Sequence, residues 1–212
     1  MKLSVFHTFF LQGLILFVSL ASLITQADNQ INPNTIYLYK GESINRTMTL
    51  GDPKNWSQSV SGRQGESASS NISIKPTSFK EDSDAIQLTW SKKSAQGNFG
   101  IYGSNIDLLK YKDLVYLTVD MRIDQKPKGD VKIGMDCGYP CRADLTINKI
   151  IKGMKQGEWF SLPLPLNCFK GDNFDLGKIN APFTISTSEK FTLSITNIRL
   201  EKMPEGEKGC KK

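Results

Sequence analysis

Between Asp136 and Arg142 the chain sets an acceptor, an aromatic ring and a donor close together: Asp136, Tyr139 and Arg142. The ring sits inside Cys137-Gly138-Tyr139-Pro140-Cys141, where Gly and Pro supply turn chemistry and a bulky side chain has little to bury against. Such a set suits sugar recognition, in which an aromatic face stacks on the apolar CH side of a pyranose while polar groups fix its hydroxyls. The plainer account of the same residues is a stapled turn. Trp56, in a polar, turn-rich stretch, is a second ring able to face water and extend the platform. Trp90 and Trp159 lie in alternating strand patterns and are expected in the core, and Tyr102 is a further available ring.

Hydrolytic chemistry has less to stand on. Cleaving a glycosidic bond takes two carboxyl groups about 5–5.5 Å apart for retention, farther for inversion. Glu81, Asp82, Asp84, Asp120, Asp124 and Asp136 are available, but no spacing pairs them, and solvated strand-end acids account for them. Asp82 and Asp84, two apart on an extended segment, project to one side and are the candidate pair for a structural calcium, without a complete calcium loop around them. No other metal and no cofactor is implied. The single histidine, His7, lies in the apolar N-terminal stretch, so histidine-dependent triads and histidine-ligated zinc have no residue to use.

That stretch, residues 1–27, reads as a secretory signal: Lys2, an apolar run from Leu11 to Leu20, and Thr25-Gln26-Ala27 with small residues for cleavage. Gln12, Gly13, Ser19 and Ser22 interrupt the run, so no retained membrane anchor is expected. The net charge of +6 falls by one with Lys2 and is scattered along the chain, which excludes a nucleic-acid-binding patch. Four cysteines in an exported chain point to disulfides. Gly138 and Pro140 favour Cys137 with Cys141, leaving Cys168 with Cys210; export places the protein in the periplasm or outside the cell.

The elements that must position these residues are strands. From Leu114 to Asp124, Val115, Leu117, Val119, Met121 and Ile123 alternate with Tyr116, Thr118, Asp120 and Arg122, the pattern of a half-buried antiparallel strand. Shorter runs recur at 36–40, 44–50, 71–75, 85–90, 98–102, 131–135, 158–164, 182–187 and 191–201. Around ten strands at this spacing make an all-β, two-sheet antiparallel sandwich of residues 28–202. Phe191, Leu193 and Ile195 change parity with Ile198 and Leu200, so a β-bulge is expected near Thr196-Asn197. Asp144 to Lys152 reads as a helical turn, Gly51 to Ser70 as a long polar loop, and 203–212 as a charged, mobile tail.

Four segments in order carry a resemblance: Asp82–Trp90, Val131–Arg142 with its Cys-Gly-Tyr-Pro-Cys-Arg, Trp159–Phe169, and Ala181-Pro182-Phe183 followed by Leu193–Leu200. Over about Ile36 to Lys202 the chain resembles the ExoP-type galactose-binding-like domain at the C-terminus of bacterial glycoside hydrolase family 3 exo-β-glucanases. The resemblance implies a jelly-roll β-sandwich accessory to a catalytic region that precedes it in those enzymes, and no catalytic residue carries over. The leading expectation is a non-catalytic, exported carbohydrate-binding-like module for β-glucan or related oligosaccharides. Its rival is an exported interaction domain that docks on another polypeptide, such as a glycoside hydrolase, without binding sugar; an orphan enzyme is a third reading. An exposed aromatic platform beside polar groups favours the first, a large apolar patch the second.

Overall fold

Alternation of apolar and polar residues builds fourteen strands in a computed structural model that describes residues 35–210. In chain order they are β1 (Ile36–Tyr39), β2 (Glu42–Ser43), β3 (Thr47–Asp52), β4 (Asn55–Ser59), β5 (Gly65–Glu66), β6 (Ile72–Thr77), β7 (Ala85–Trp90) and β8 (Gly97–Tyr102). They continue as β9 (Val115–Gln125), β10 (Val131–Asp136), β11 (Arg142–Thr146), β12 (Trp159–Pro165), β13 (Ala181–Thr187) and β14 (Phe191–Lys202), with one short helix, α1 (Asn148–Gly153), between β11 and β12. The signal assigned to residues 1–27 lies outside the described residues.

The strands form two sheets. The first runs β12-β9-β14-β7-β6-β5, with β1 also on β14 and β2 on β1; the second runs β11-β10-β13-β8-β3-β4. Every pairing is antiparallel, and the two inner faces meet in one core. Leu88, Trp90, Met121, Ile123 and Leu193 come from the first sheet and Leu50, Phe99, Ile133, Phe183 and Ile185 from the second, all essentially without solvent contact. Trp90, expected in the core, stacks on Phe191 at 5.5 Å and donates its indole N–H to Gly97 O at 2.9 Å, which satisfies the one polar atom it buries. Trp159 is instead half-buried on the outward side of the first sheet, edge-on to Phe79 at 4.7 Å and under the Arg122 guanidinium.

The register of β14 against β9 shifts between Thr196 and Ile198, where a bulge is expected, and Asn197 takes φ +41 there. Asn tolerates that region better than most residues. The extra residue lets Phe191, Leu193, Ile195 and Ile198 all reach the core despite the change of parity. A second shift, between Thr192 and Leu193, has no sequence signal.

Three expectations need correction. The helical turn placed from Asp144 to Lys152 starts later: Asp144–Thr146 belongs to β11, which pairs with β10 in continuous register, and the helix covers Asn148–Gly153. An edge partner for β10 outweighs a few residues of helical spacing. The polar loop at 51–70 contains β4 and β5, which sit on sheet edges with mostly solvated side chains and so lack the alternation that marks a half-buried strand. The segment 203–210 is fastened rather than loose: Met203 is buried, and Cys210 is bridged to Cys168. Cys137 is bridged to Cys141.

Candidate functional site

The outward face of the second sheet is built to hold flat, low side chains. Gly134 of β10 and Gly100 of β8 leave no room for a Cβ, because the Asp144 carboxylate lies over the first and the Tyr102 ring over the second. Tyr102 is thereby laid along the sheet, and its hydroxyl donates to Asp136 Oδ2 at 2.6 Å. Burial, with the Asp136 hydrogen bond and charge added, pushes the Tyr102 hydroxyl well above the usual phenol range, so it stays a donor. At the other end of the same pairing, Asp136 and Arg142 face each other across β10 and β11, Nε to Oδ1 at 3.8 Å. Arg142 is held more closely by Asp144, through Nε at 3.1 Å and Nη2 at 2.8 Å. Burial works against its charge, but Asp144 and Asp136 outweigh burial and raise its pKa.

The β10–β11 connection rises from this corner. Cys137 N–H donates to Cys141 O and Cys141 N–H to Gly138 O, and Gly138 sits at φ +90, a conformation open to glycine at little cost. The bridged turn carries Tyr139 at its tip, fully exposed.

Across the sheet, Trp56 stands half-exposed on edge strand β4. Its hairpin is tied by the buried Asp52, whose Oδ1 accepts from the backbone of Lys54 and Asn55 and whose Oδ2 accepts from Ser69 N at 2.6 Å. Burial alone would raise the Asp52 pKa, but hydrogen bonds from Ser67, Ser69, Lys54 and Asn55 outweigh it and hold the carboxyl at about 2.

Between these landmarks lies a cleft of ≈ 620 Å³ lined by all four residues singled out for binding: Trp56, Asp136, Tyr139 and Arg142. Tyr102, Gln96, Asn98 and Asn180 complete its polar and aromatic walls. Of the rings considered in the sequence, Tyr102 therefore also belongs here. Asn98 and Asn180 gave no sequence signal beyond the outward parity of Asn98 on β8. Four buried side-chain oxygens on or beside this sheet have no partner among the described residues: Thr49 Oγ1, Asn98 Oδ1, Asn180 Oδ1 and Thr184 Oγ1. Native interiors rarely leave such groups unpaired without a functional or solvent partner. Asp136 is the one carboxylate among the residues lining the cleft, whereas hydrolysis takes two.

The calcium candidates do not converge on a cation. Asp84 uses both carboxylate oxygens to accept from the backbone N–H of Phe79, Lys80 and Glu81, and donors aimed at a carboxylate oppose a metal there. Burial disfavours its charge, yet these hydrogen bonds prevail and lower its pKa. Asp82 accepts from Ser78 Oγ. Among the described residues no group of three or more acidic, Cys or His side chains could hold a metal ion.

Two antiparallel sheets with an aromatic-rimmed, hydrogen-bonding cleft on one face define a carbohydrate-binding-like β-sandwich. The chain matches the ExoP C-terminal model, described as galactose-binding domain-like, over residues 47–200 and belongs to that family. No curated protein matches it. Among solved structures, the extra C-terminal domain of the exo-1,3/1,4-β-glucanase ExoP from a Pseudoalteromonas species aligns with TM-score 0.67 and 19% identity, over 84% of this chain and 99% of that one. The ExoP enzyme from the same organism aligns with TM-score 0.67 and 18% identity over 81% of this chain but 21% of its own, so the chain spans about a fifth of that enzyme. A family 30 carbohydrate-binding module of a Clostridium thermocellum cellulosomal cellulase aligns with TM-score 0.56 and 13% identity, over 80% of this chain and 98% of that one. The likeness to all three is one of fold.

Proposed function

We propose that the domain binds β-glucan or a related neutral oligosaccharide in the cleft between Trp56 and Tyr139. The observation that carries this reading is the convergence in one cleft of exposed rings with a carboxylate, a guanidinium and two buried amide oxygens that have no partner among the described residues. Tyr139 stacks on a sugar ring, Asp136 accepts from and Arg142 donates to its hydroxyls, Trp56 extends the platform, and ligand hydroxyls reach toward Asn98 and Asn180. The mixture of one acid and one base suits hydroxyl recognition better than a charged sugar. The aromatic platform stands beside polar groups, which favours a sugar over a docked polypeptide. The two disulfides fit an oxidising compartment, and the reading includes export of the domain to the periplasm or beyond, where its partner is the glycan and, through it, an exported glycoside hydrolase.

A few such contacts offset by ordering and desolvation give a Kd on the order of 0.1–1 mM. Calorimetric titration of mixed-linkage β-glucan oligosaccharides into wild type, Tyr139→Ala and Trp56→Ala tests it. Each variant is expected to stay folded by circular dichroism and to bind roughly tenfold more weakly. Equal binding by all three proteins would remove the site; no binding by wild type at millimolar sugar would remove the function. Turnover of aryl β-glucosides above that of an Asp82→Asn, Asp84→Asn, Asp136→Asn control would contradict the non-enzymatic assignment.

A further inference from the structure

The cleft does not stop at Asn98. Asn98 on β8 lies directly opposite Ser186 on β13, and Ser186 opposite Lys132 on β10. Asn98 lines the cleft already described, whereas Ser186 and Lys132 line a second cavity of ≈ 320 Å³, and Gln96 lines both. The two hollows thus adjoin at Gln96 on the outward side of the second sheet. β13 (Ala181–Thr187) connects them, since Asn180 just before it lines the first and Ser186 and Thr187 at its end line the second, about 20 Å away at the rise of a strand.

The two ends differ in chemistry. The far end has no aromatic ring; its walls are Lys132, Asp130, Glu189, Ser186 and Ser188 with the Gln96 amide. Asp130 is fixed, its Oδ1 accepting from Asn148 Nδ2 at 2.7 Å and its carbonyl from Thr187 Oγ1 at 2.7 Å. Lys132 and Glu189 stand on either side in no ion pair among the described residues. Donors and acceptors left open in this way, with both charges present, match a group that both donates and accepts, as a sugar hydroxyl does. Thr184 Oγ1 lies on the outward row between the two ends and is buried without a partner among the described residues.

We propose that this second cavity is a further subsite of the same cleft. The ligand is then a linear oligosaccharide lying along β13 and β8, stacked at the Tyr139 end and held by hydrogen bonds alone at the Lys132 and Glu189 end. This rests on the sugar-binding reading above and adds to it the length and direction of the ligand.

The test titrates a mixed-linkage β-glucan series, from disaccharide to hexasaccharide, into wild type and into a Lys132→Ala, Glu189→Ala double variant, with circular dichroism as the check of folding. Wild-type affinity is expected to climb roughly three- to tenfold from disaccharide to tetrasaccharide and then level off, the gain of one or two net hydrogen bonds. The double variant is expected to bind the disaccharide as wild type does and to lose the climb. In NMR spectra the Ser186 and Gln96 amides should both respond to the tetrasaccharide, and the Ser186 amide should stay still with the disaccharide. A climb that survives in the double variant overturns the subsite. A wild type that binds every length equally overturns it too while leaving the sugar-binding reading intact. Absence of binding to any member overturns both.

Discussion

On the outward side of the first sheet, Asp120 accepts from Ser161, Asn197 and Arg199. Arg199 also donates to Glu201, which accepts in turn from Thr118. Beside them Asp124 binds Arg122, Gln87 and Ser194. On the outward side of the second sheet, buried oxygens of Thr49, Asn98 and Thr184 have no partner among the described residues, nor does that of Asn180 just before β13. The same strand alternation produced both rows of polar groups. The first face closes these hydrogen bonds within the protein, whereas on the second the unpaired oxygens of Asn98 and Asn180 belong to residues that line the cleft. Because an unmade buried hydrogen bond costs more than a made one contributes, the second face gives up stability that the first keeps.

The staples offer the largest effect with which to break this comparison. The Cys168–Cys210 bridge has a sequence separation of 42 and fastens the tail beside the end of β12, in the first sheet; the Cys137–Cys141 bridge has a separation of 4 and shapes the Tyr139 turn. Chain-entropy scaling gives about 4 kcal/mol for the long loop and about 2 kcal/mol for the short one. Replacing Cys168 and Cys210 by Ser should cost the larger amount in urea unfolding and leave glycan affinity unchanged. Replacing Cys137 and Cys141 should cost the smaller amount and weaken binding. The reverse assignment of the binding defect would break the comparison, and non-reducing peptide mapping checks the connectivity.

Next in size is Asp120→Ala. It strands Arg199, Asn197 and Ser161 on the closed face and should destabilise the domain by about 3 kcal/mol with no change in sugar affinity. Urea unfolding and calorimetry read the two quantities separately; a loss of affinity with stability intact would show that the first sheet binds as well.

The smallest effect is the sharpest, because it compares two hydroxyls that are both fully buried. Ser194→Ala removes a hydroxyl with partners and should cost about 1 kcal/mol, whereas Thr184→Val removes one without and should be neutral or stabilising by up to about 1 kcal/mol. Changes of the same sign and size in thermal unfolding would mean that the two faces do not differ in this way.

Much of the sandwich was legible because strand alternation is local: the 115–123 pattern, the parity change at Asn197 and the core place of Trp90 follow from residue order and side-chain type. The edge strands β4 and β5 were not legible, since a strand with neither face buried carries no apolar period. The fate of Asp144 was decided by β10, which needed an edge partner across the sheet.

For the site, the residue types and spacing by themselves determined a ring, an acceptor and a donor around a bridged turn, because Asp136, Tyr139 and Arg142 are neighbours in the chain and a Gly-Tyr-Pro turn leaves its ring outside. Only the tertiary structure decided that Trp56 stands across the same cleft, that Tyr102 lies flat over Gly100, and that Gln96, Asn98 and Asn180 join them. Those residues come from several separate segments of the chain, on or beside β13, β8 and β4, and hydrogen-bonded register across β10, β13, β8, β3 and β4 is what brings them to one face. Alternation tells which side chains leave the core; it carries no information about which strands lie side by side, and that choice is made by packing the two apolar faces together.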